Sequence, residues 1–500
     1  MYDTTKLMPR SLPAALASSL VVMVLFSAYL LLVSSKRSQE ECTINIAVAD
    51  GDSKYAKDKV TSPPMAKNGI LETVKILTDN NFPWFLLDTA RDLQSNTFRL
   101  NLSAIFSCPM VAVVGDPKVA REILRDPLST KPKQIYKHFE DTIGAKSMAS
   151  SNGEYWHSRR KGMAPAFSSK HIKRMNKVVC EKSDEWIQTR LSKLVDNDEA
   201  FDVGKEMISI TLSAITETAF EYHMNDEEKQ SFVHELGLSL REFSSKSMNP
   251  LRKPFGLLIP ERRRAHLAAK RLQAIALKII NAYRELENPT KDTIIDRIMH
   301  NSAYKNDSER FADILFLLVA GYDSTAYSIA WTLKELAKNK KEQQHLRDSL
   351  NSREKGGWNQ STVLRNVVQE GMRLHPVIAS GSIRTTGRDF TTDKGHLLPK
   401  GTIAIISFIV AFRNTDIYED ADSFIPARWD EPTREMNEAF YPFSAGKQNC
   451  LGQSLANAMI HLTISKICSE FELELVNEGE THYFVTFKPV NVMLKATKVE

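Results

Sequence analysis

Two uninterrupted apolar runs break an otherwise mixed pattern of hydrophobic and polar positions. The first is amino-terminal. Ser11 to Ser35 contains no Asp, Glu, Lys, Arg or His, and its apolar stretch runs from Leu12 to Val33. As a helix it would be about 33 Å long, enough to cross a hydrocarbon core of roughly 30 Å. A cleavable leader has an apolar region of about 7–15 residues that ends at small residues. This run is longer and ends in Ser34-Ser35-Lys36-Arg37, which predicts an uncleaved transmembrane anchor over 11–35. Lys6 and Arg10 precede it, so positive charge flanks both ends and sets orientation only weakly. The second run, Ile314 to Ala320, lies in a predicted helix from Arg310 to about Asn339. Apolar residues cover every face there, so burial on all sides is expected. Asp313 and Asp323 bracket the run too closely for a second membrane span.

A polar tether, 36–62, follows the anchor and is closed by Pro63-Pro64. From 63 to 500 no linker or repeat divides the chain, which predicts one large domain. Helical periodicity covers Glu154–Leu194, Met207–Phe243 and Arg262–Leu286. Strand signals are short: Val111–Val114 before Gly115-Asp116-Pro117, and Ile403–Val410 after Pro399-Lys400-Gly401. The expected fold is mainly α with small β-sheets.

Composition narrows the function classes. With 42% apolar and 25% charged residues in 500, the chain is neither disordered nor fibrous. A net charge of +5, dispersed, gives no footprint for nucleic acid. Five cysteines without CxxC spacing form no disulfide framework, and Cys42, Cys108, Cys180 and Cys468 read as incidental thiols. HExxH, Walker A, GxGxxG and GxSxG motifs are absent. Any electrons must therefore come from another protein.

Cys450 differs from the other four. It follows the glycine-bearing loop Phe443-Ser444-Ala445-Gly446-Lys447-Gln448-Asn449 and precedes Leu451-Gly452 and a helical pattern from Gln453 to Ile467. A helix amino terminus stabilises a thiolate, and glycines at 446 and 452 allow a tight turn and close approach of a planar group. The run resembles FxxGxxxCxG, the haem-binding signature of the cytochrome P-450 family of haem-thiolate monooxygenases. Three further motifs match in order. Trp156-His157-Ser158-Arg159-Arg160 resembles WxxxR. Ala320-Gly321-Tyr322-Asp323-Ser324-Thr325 resembles AGx[DE]T[TS], with Ser324 where Thr is usual. Glu370-Gly371-Met372-Arg373 is an ExxR motif, joined in the family by an arginine of a later PxR segment, here Arg428. Ala427 replaces the acidic residue common beside it.

The resemblance, over about 63–500, implies the cytochrome P-450 fold behind a single amino-terminal transmembrane helix. It implies haem b on the Cys450 thiolate, bound also by Phe443, Gly446 and Gly452, with Trp156, Arg160 and Arg384 at the propionates. Gln448 stands where the family often has a charged propionate ligand. Asp323, Ser324 and Thr325 would carry protons to bound oxygen, Gly321 would open space over the haem, and Glu370, Arg373 and Arg428 would form a structural triad. The implied reaction inserts one oxygen atom of O2 into a lipophilic substrate. Its pocket would be built from 135–149, 316–320, 377–382 and 483–487. Electrons would come from a separate NADPH-linked flavoprotein reductase docking on Arg159, Lys161, Lys170, Lys173, Arg174 and Lys447. Membrane lipid is the other expected partner, with Pro254 to Pro260 either touching the bilayer or buried. The expected location is the endoplasmic reticulum, single-pass, with a cytosolic catalytic domain. The alternative is a reductase-independent haem-thiolate isomerase or dehydratase, or a haem sensor.

Overall fold

The computed structural model describes residues 61–69, 72–73, 76, 81–103, 108–248, 258–352 and 361–499. The expected anchor, nearly all of the tether, and 254–257 of the expected bilayer loop lie outside these residues. Thr61 is already paired with His396 in an isolated bridge, and Leu397 donates its N–H to the Thr61 carbonyl at 2.8 Å. The chain therefore joins the domain two residues before Pro63.

Helices dominate the described residues. The main ones are α1 (Phe82–Asp92), α2 (Pro117–Arg125), α3 (Gly153–Met163), α4 (Ser169–Trp186), α5 (Val203–Phe220) and α6 (Asp226–Met248). They continue with α7 (Pro260–Glu285), α8 (Asp307–Lys338), α9 (Lys340–Asn351), α10 (Thr362–Leu374) and α11 (Gln453–Glu470). Strands are short: β1 (Thr97–Leu100), β2 (Val111–Val114), β3 (Phe201–Asp202), β4 (Ser382–Thr385), β5 (Phe390–Thr391), β6 (Leu397–Leu398) and β7 (Ile403–Ile406). The last four are β8 (Phe471–Asn477), β9 (Glu480–Tyr483), β10 (Phe487–Val490) and β11 (Met493–Lys498). One sheet has the order β1-β2-β7-β4, another β3-β11-β8, and β5-β6 and β9-β10 are two-stranded. β2 and β7 pair in parallel, Val111 opposite Ile403. All eight of their residues are buried, as a parallel pair covered on both faces requires.

Three predicted elements differ from the observed ones. The 154–194 pattern is two main helices, because Pro165 lacks the N–H an α-helix interior needs and the chain takes a 3-10 turn over Ala164–Phe167. The 207–243 pattern is also two. Glu221 adopts a left-handed φ of 50° that ends α5, and the Asn225 side chain accepts from Glu228 N–H to start α6. Ile403–Val410 is strand only to Ile406, and Phe408–Phe412 is a short helix. A continuous apolar run carries no period to separate the two.

α8 runs through the centre of the domain. Ile314, Leu315, Leu318 and Tyr322 join a core shared with α5 and α7, and Ile329, Leu333 and Leu336 pack with α10 and α11. By length and composition α8 could cross a membrane, but most of its apolar surface is buried inside the domain. Burial is not complete on every face. Phe316, Leu317, Val319 and Ala320 line an internal cavity. At Gly321 a Cβ would lie 2.8 Å from Ile215 Cγ1. Its missing side chain lets α5 pack closely on α8, and Gly321 and Ile215 both line the cavity.

Candidate active site

A cavity of about 450 Å³ lies between α8, α3, β4 and the loop leading to α11. Cys450 is on its wall. The loop before it is fixed by the Cys450 N–H donating to Phe443 O at 2.9 Å and by Gly446 at φ +73°. A Cβ on Gly446 would sit 2.2 Å from Leu124 O, so both the backbone angle and the approach of α2 require glycine. Gly452 has no such constraint. Its φ is −85°, and a Cβ would meet Phe167 at an ordinary 3.8 Å. Cys450 has accessible surface because it faces the cavity, although it lies deep in the domain. Burial pushes its thiol up, against the Gly452 N–H and the Arg160 guanidinium, which pull it down.

Trp156 and Arg160 project from one face of α3 onto the cavity, with the guanidinium over the indole at 5.6 Å. Arg160 donates to Asn449 O at 2.8 Å and to Asn449 Oδ1 at 2.6 Å. Arg384 reaches the cavity from β4 and donates to Ile383 O. Phe443 and Gln448 complete this edge, and the Gln448 Oε1 is buried without a donor. A third cation stands beside them. Lys131 donates from Nζ to Met148 O at 2.6 Å, and burial, with Arg384 and Arg160, pushes its ammonium down to about 7. No sequence motif marks Lys131. Among the described residues none of these three cations has a carboxylate within salt-bridge distance. Three unpaired cations on one edge, with a thiol on the cavity wall, fit a flat group carrying two carboxylates and a thiol-seeking metal.

On α8 the Ser324 hydroxyl donates to Ala320 O and the Thr325 hydroxyl to Gly321 O, both at 3.0 Å. Ser324 is half-buried against the cavity, while Thr325 is buried. Asp323 is not bonded to Ser324. Its Oδ2 accepts from Thr486 Oγ1 at 2.6 Å, and its Oδ1 lies 3.4 Å from Lys488 Nζ. All four segments expected to build the pocket contribute, through Tyr136, Met148, Phe316, Val377, Ser382 and Val485 among others. Ile215 and Leu240 also line it, which nothing in the sequence signals.

The expected triad is assembled around a fully buried carboxylate. Arg373 donates to both Glu370 oxygens at 2.8 Å, and Arg428 Nε donates to Oε1 at 3.0 Å. Ile425 N–H and Trp429 Nε1 add bonds of 2.9 Å. Burial pushes the Glu370 carboxyl up, but the Arg373 bonds and charge, Ile425 and Arg428 outweigh it and hold the pKa below the ordinary value. Ala427 is exposed, and the network closes without an acid there. Arg159 corrects the expected basic face. It is fully buried, and donates to Glu309 Oε2 at 2.7 Å and Asp313 Oδ2 at 3.0 Å. It therefore ties α3 to α8 instead of meeting a partner.

The cytochrome P450 family model matches residues 91–499. The chain belongs to the cytochrome P450 family. Taurochenodeoxycholic 6 alpha-hydroxylase of Sus scrofa is 25% identical over 399 residues, covering 73% of this chain and 76% of its own. Cytochrome P450 4F11 of Homo sapiens is 26% identical over 417 residues, with 75% and 77% covered. Cytochrome P450 monooxygenase atr2 of Stereocaulon alpinum is 26% identical over 362 residues, with 68% and 71% covered. As a cytochrome P450 the protein is an oxidoreductase, a haem-thiolate monooxygenase with haem b as its cofactor. The mainly helical fold with small sheets is that of the family. The reductase-independent alternative is not favoured by these relatives.

Proposed function

We propose that the Cys450 thiolate would hold the haem iron, that Lys131, Arg160 and Arg384 would hold the haem propionates, and that the apolar cavity takes a lipophilic substrate. When bound, the haem supplies oxygen activation, and a thiolate ligand favours O–O cleavage. The chain supplies the rest. Phe316, Leu317, Val485 and Ile215 exclude water and hold an apolar substrate. Ser324 holds a proton where the cavity meets α8. Electrons come from a separate NADPH-linked flavoprotein reductase. The domain is proposed to stand on the cytosolic side of the endoplasmic reticulum, behind the 11–35 anchor. Leu258, highly exposed just before the basic start of α7, supports a contact with the bilayer surface.

The observation that carries this reading is the cavity itself, which brings Cys450, the three unpaired cations and the α8 hydroxyls together. The test is the absorbance of the reduced carbon-monoxide complex. The thiolate-type band that gives the family its number is expected for the wild type, and loss of it for Cys450→Ser. A histidine-type spectrum in the wild type would overturn the ligand assignment.

A further inference from the structure

The partners of Asp323 point to a route that the α8 motif does not contain. The carboxylate is buried and turns away from Ser324 toward the β9–β10 hairpin, where Thr486 Oγ1 donates to Oδ2 at 2.6 Å and Lys488 Nζ lies 3.4 Å from Oδ1. Thr486 lines the cavity, as Asp323 does. Lys488 keeps 17% of its side chain exposed and lies over the Tyr327 ring at 5.1 Å. The hairpin is fixed on both sides. Trp331 Nε1 donates to Phe487 O at 2.9 Å, and Phe487 N–H donates to Val377 O at 2.7 Å. Thr486 is therefore held between the acid and the cavity and is not a mobile loop residue.

We infer that Thr486 is a proton-relay residue of this cytochrome P450, and that Lys488 is a positioning residue that turns Asp323 toward it. The balance is simple. Substrate C–H, O2, two electrons from the flavoprotein reductase and two protons give C–OH and water. A proton arriving from solvent beside Lys488 protonates Asp323. The acid then donates to Thr486 Oγ1, whose own proton passes into the cavity toward the oxygen that leaves as water. Asp323 returns to the carboxylate. When delivery fails, the same electrons and protons leave as hydrogen peroxide.

A purely structural Thr486 would only satisfy a buried carboxylate. Its loss would lower stability without changing how oxygen is partitioned. Thr486→Val keeps the shape and removes the hydroxyl, Thr486→Ser restores it, Lys488→Met removes the positive charge and Lys488→Arg keeps it as a guanidinium. The inference rests on the monooxygenase reading, so each purified holoenzyme is first checked for haem content and for the thiolate-type carbon-monoxide band, which all four should retain. A wild type without that band sinks the reading itself. With the band present, Thr486→Val should lower the product-to-peroxide ratio roughly tenfold, short of the ~10²-fold for a wholly lost acid–base group. Thr486→Ser should recover most of it. Lys488→Met should lower it less, with recovery by Arg. The double variant Ser324→Ala/Thr486→Val separates one relay from two, since members of one unit are not additive. Wild-type partition in Thr486→Val, or equal uncoupling by Val and Ser, overturns the inference and leaves the monooxygenase reading standing.

Discussion

Ser324 and Thr325 both line the cavity but lie about 100° apart around the helix, and Ser324 is the more exposed of the two. Ser324→Ala is therefore expected to raise peroxide relative to product with haem content unchanged, and Thr325→Ala to do so less. NADPH, peroxide and product measured together check this, and the reverse order would put the relay one residue on. Lys131 gives a prediction about proton balance. In the unfolded chain its ammonium persists to about pH 10.4, but in the fold burial, with Arg384 and Arg160, pushes it down to about 7. Between these values the unfolded state binds more protons, so this group's contribution to stability rises with pH and its full penalty is present below 7. Two carboxylates beside it would restore the ammonium. Haem uptake at pH 8 also strips the Cys450 thiol of its proton, which the Lys131 ammonium offsets, so Lys131→Met should release more protons than the wild type on haem uptake, measurable in weak buffer. Cys450, Trp156 and Arg160 were legible because their motifs have fixed spacing, whereas Arg384 was placed only by resemblance, in the stretch after Leu374-His375-Pro376. Lys131 was not: it meets Arg160 and Arg384 only through the fold, and Thr130-Lys131-Pro132 has no pattern of its own. Arg159 was misread because a charged residue one position from a motif looks solvated until Glu309 and Asp313 arrive from α8.

α10 is the element that the Glu370 network locks in place. Its carboxylate accepts from two arginines, an indole and a backbone N–H, so four donors lose a charged acceptor if the charge goes. Glu370→Gln is expected to destabilise by about 3–5 kcal/mol, the range for breaking a buried ion pair. The drop in melting temperature and faster haem loss measure it. Because the Glu370 pKa is lowered in the fold, its contribution is fully present above the ordinary carboxylate pKa and is lost as pH falls through the folded value. The variant should therefore lose less stability on acidification than the wild type. The ion pair was readable from an i, i+3 spacing, whereas the roles of Trp429 and Ile425 were not, since backbone and indole donors leave no motif. The helix breaks follow the same division. Pro165 was a visible breaker inside a helical pattern, but Glu221 takes a left-handed angle that its residue type does not announce.

At the scale of the whole molecule, Lys161, Lys170, Lys173 and Lys447 are exposed and Arg174 is partly so. Neutralising the four lysines should slow reduction by an acidic flavoprotein more at low salt than at high salt, because steering acts on the on-rate and is screened. Equal rates at both ionic strengths would count against a basic docking face. Cytosolic placement predicts that the sequons Asn101-Leu102-Ser103, Asn306-Asp307-Ser308 and Asn359-Gln360-Ser361 stay bare. Asn306 already uses its side-chain oxygen to cap α8, accepting from Glu309 N–H at 3.1 Å. Endoglycosidase-sensitive mass on the native protein would reverse the topology. The parallel pairing of β2 with β7 has a different consequence, one of timing. Val111–Val114 must wait for Ile403–Ile406, nearly 300 residues later. At about 5–20 residues per second, synthesis leaves that apolar strand without its partner for roughly 15–60 s. During that interval the nascent chain exposes an unpaired strand edge, so slower translation between the two segments should favour aggregation or chaperone capture over folding.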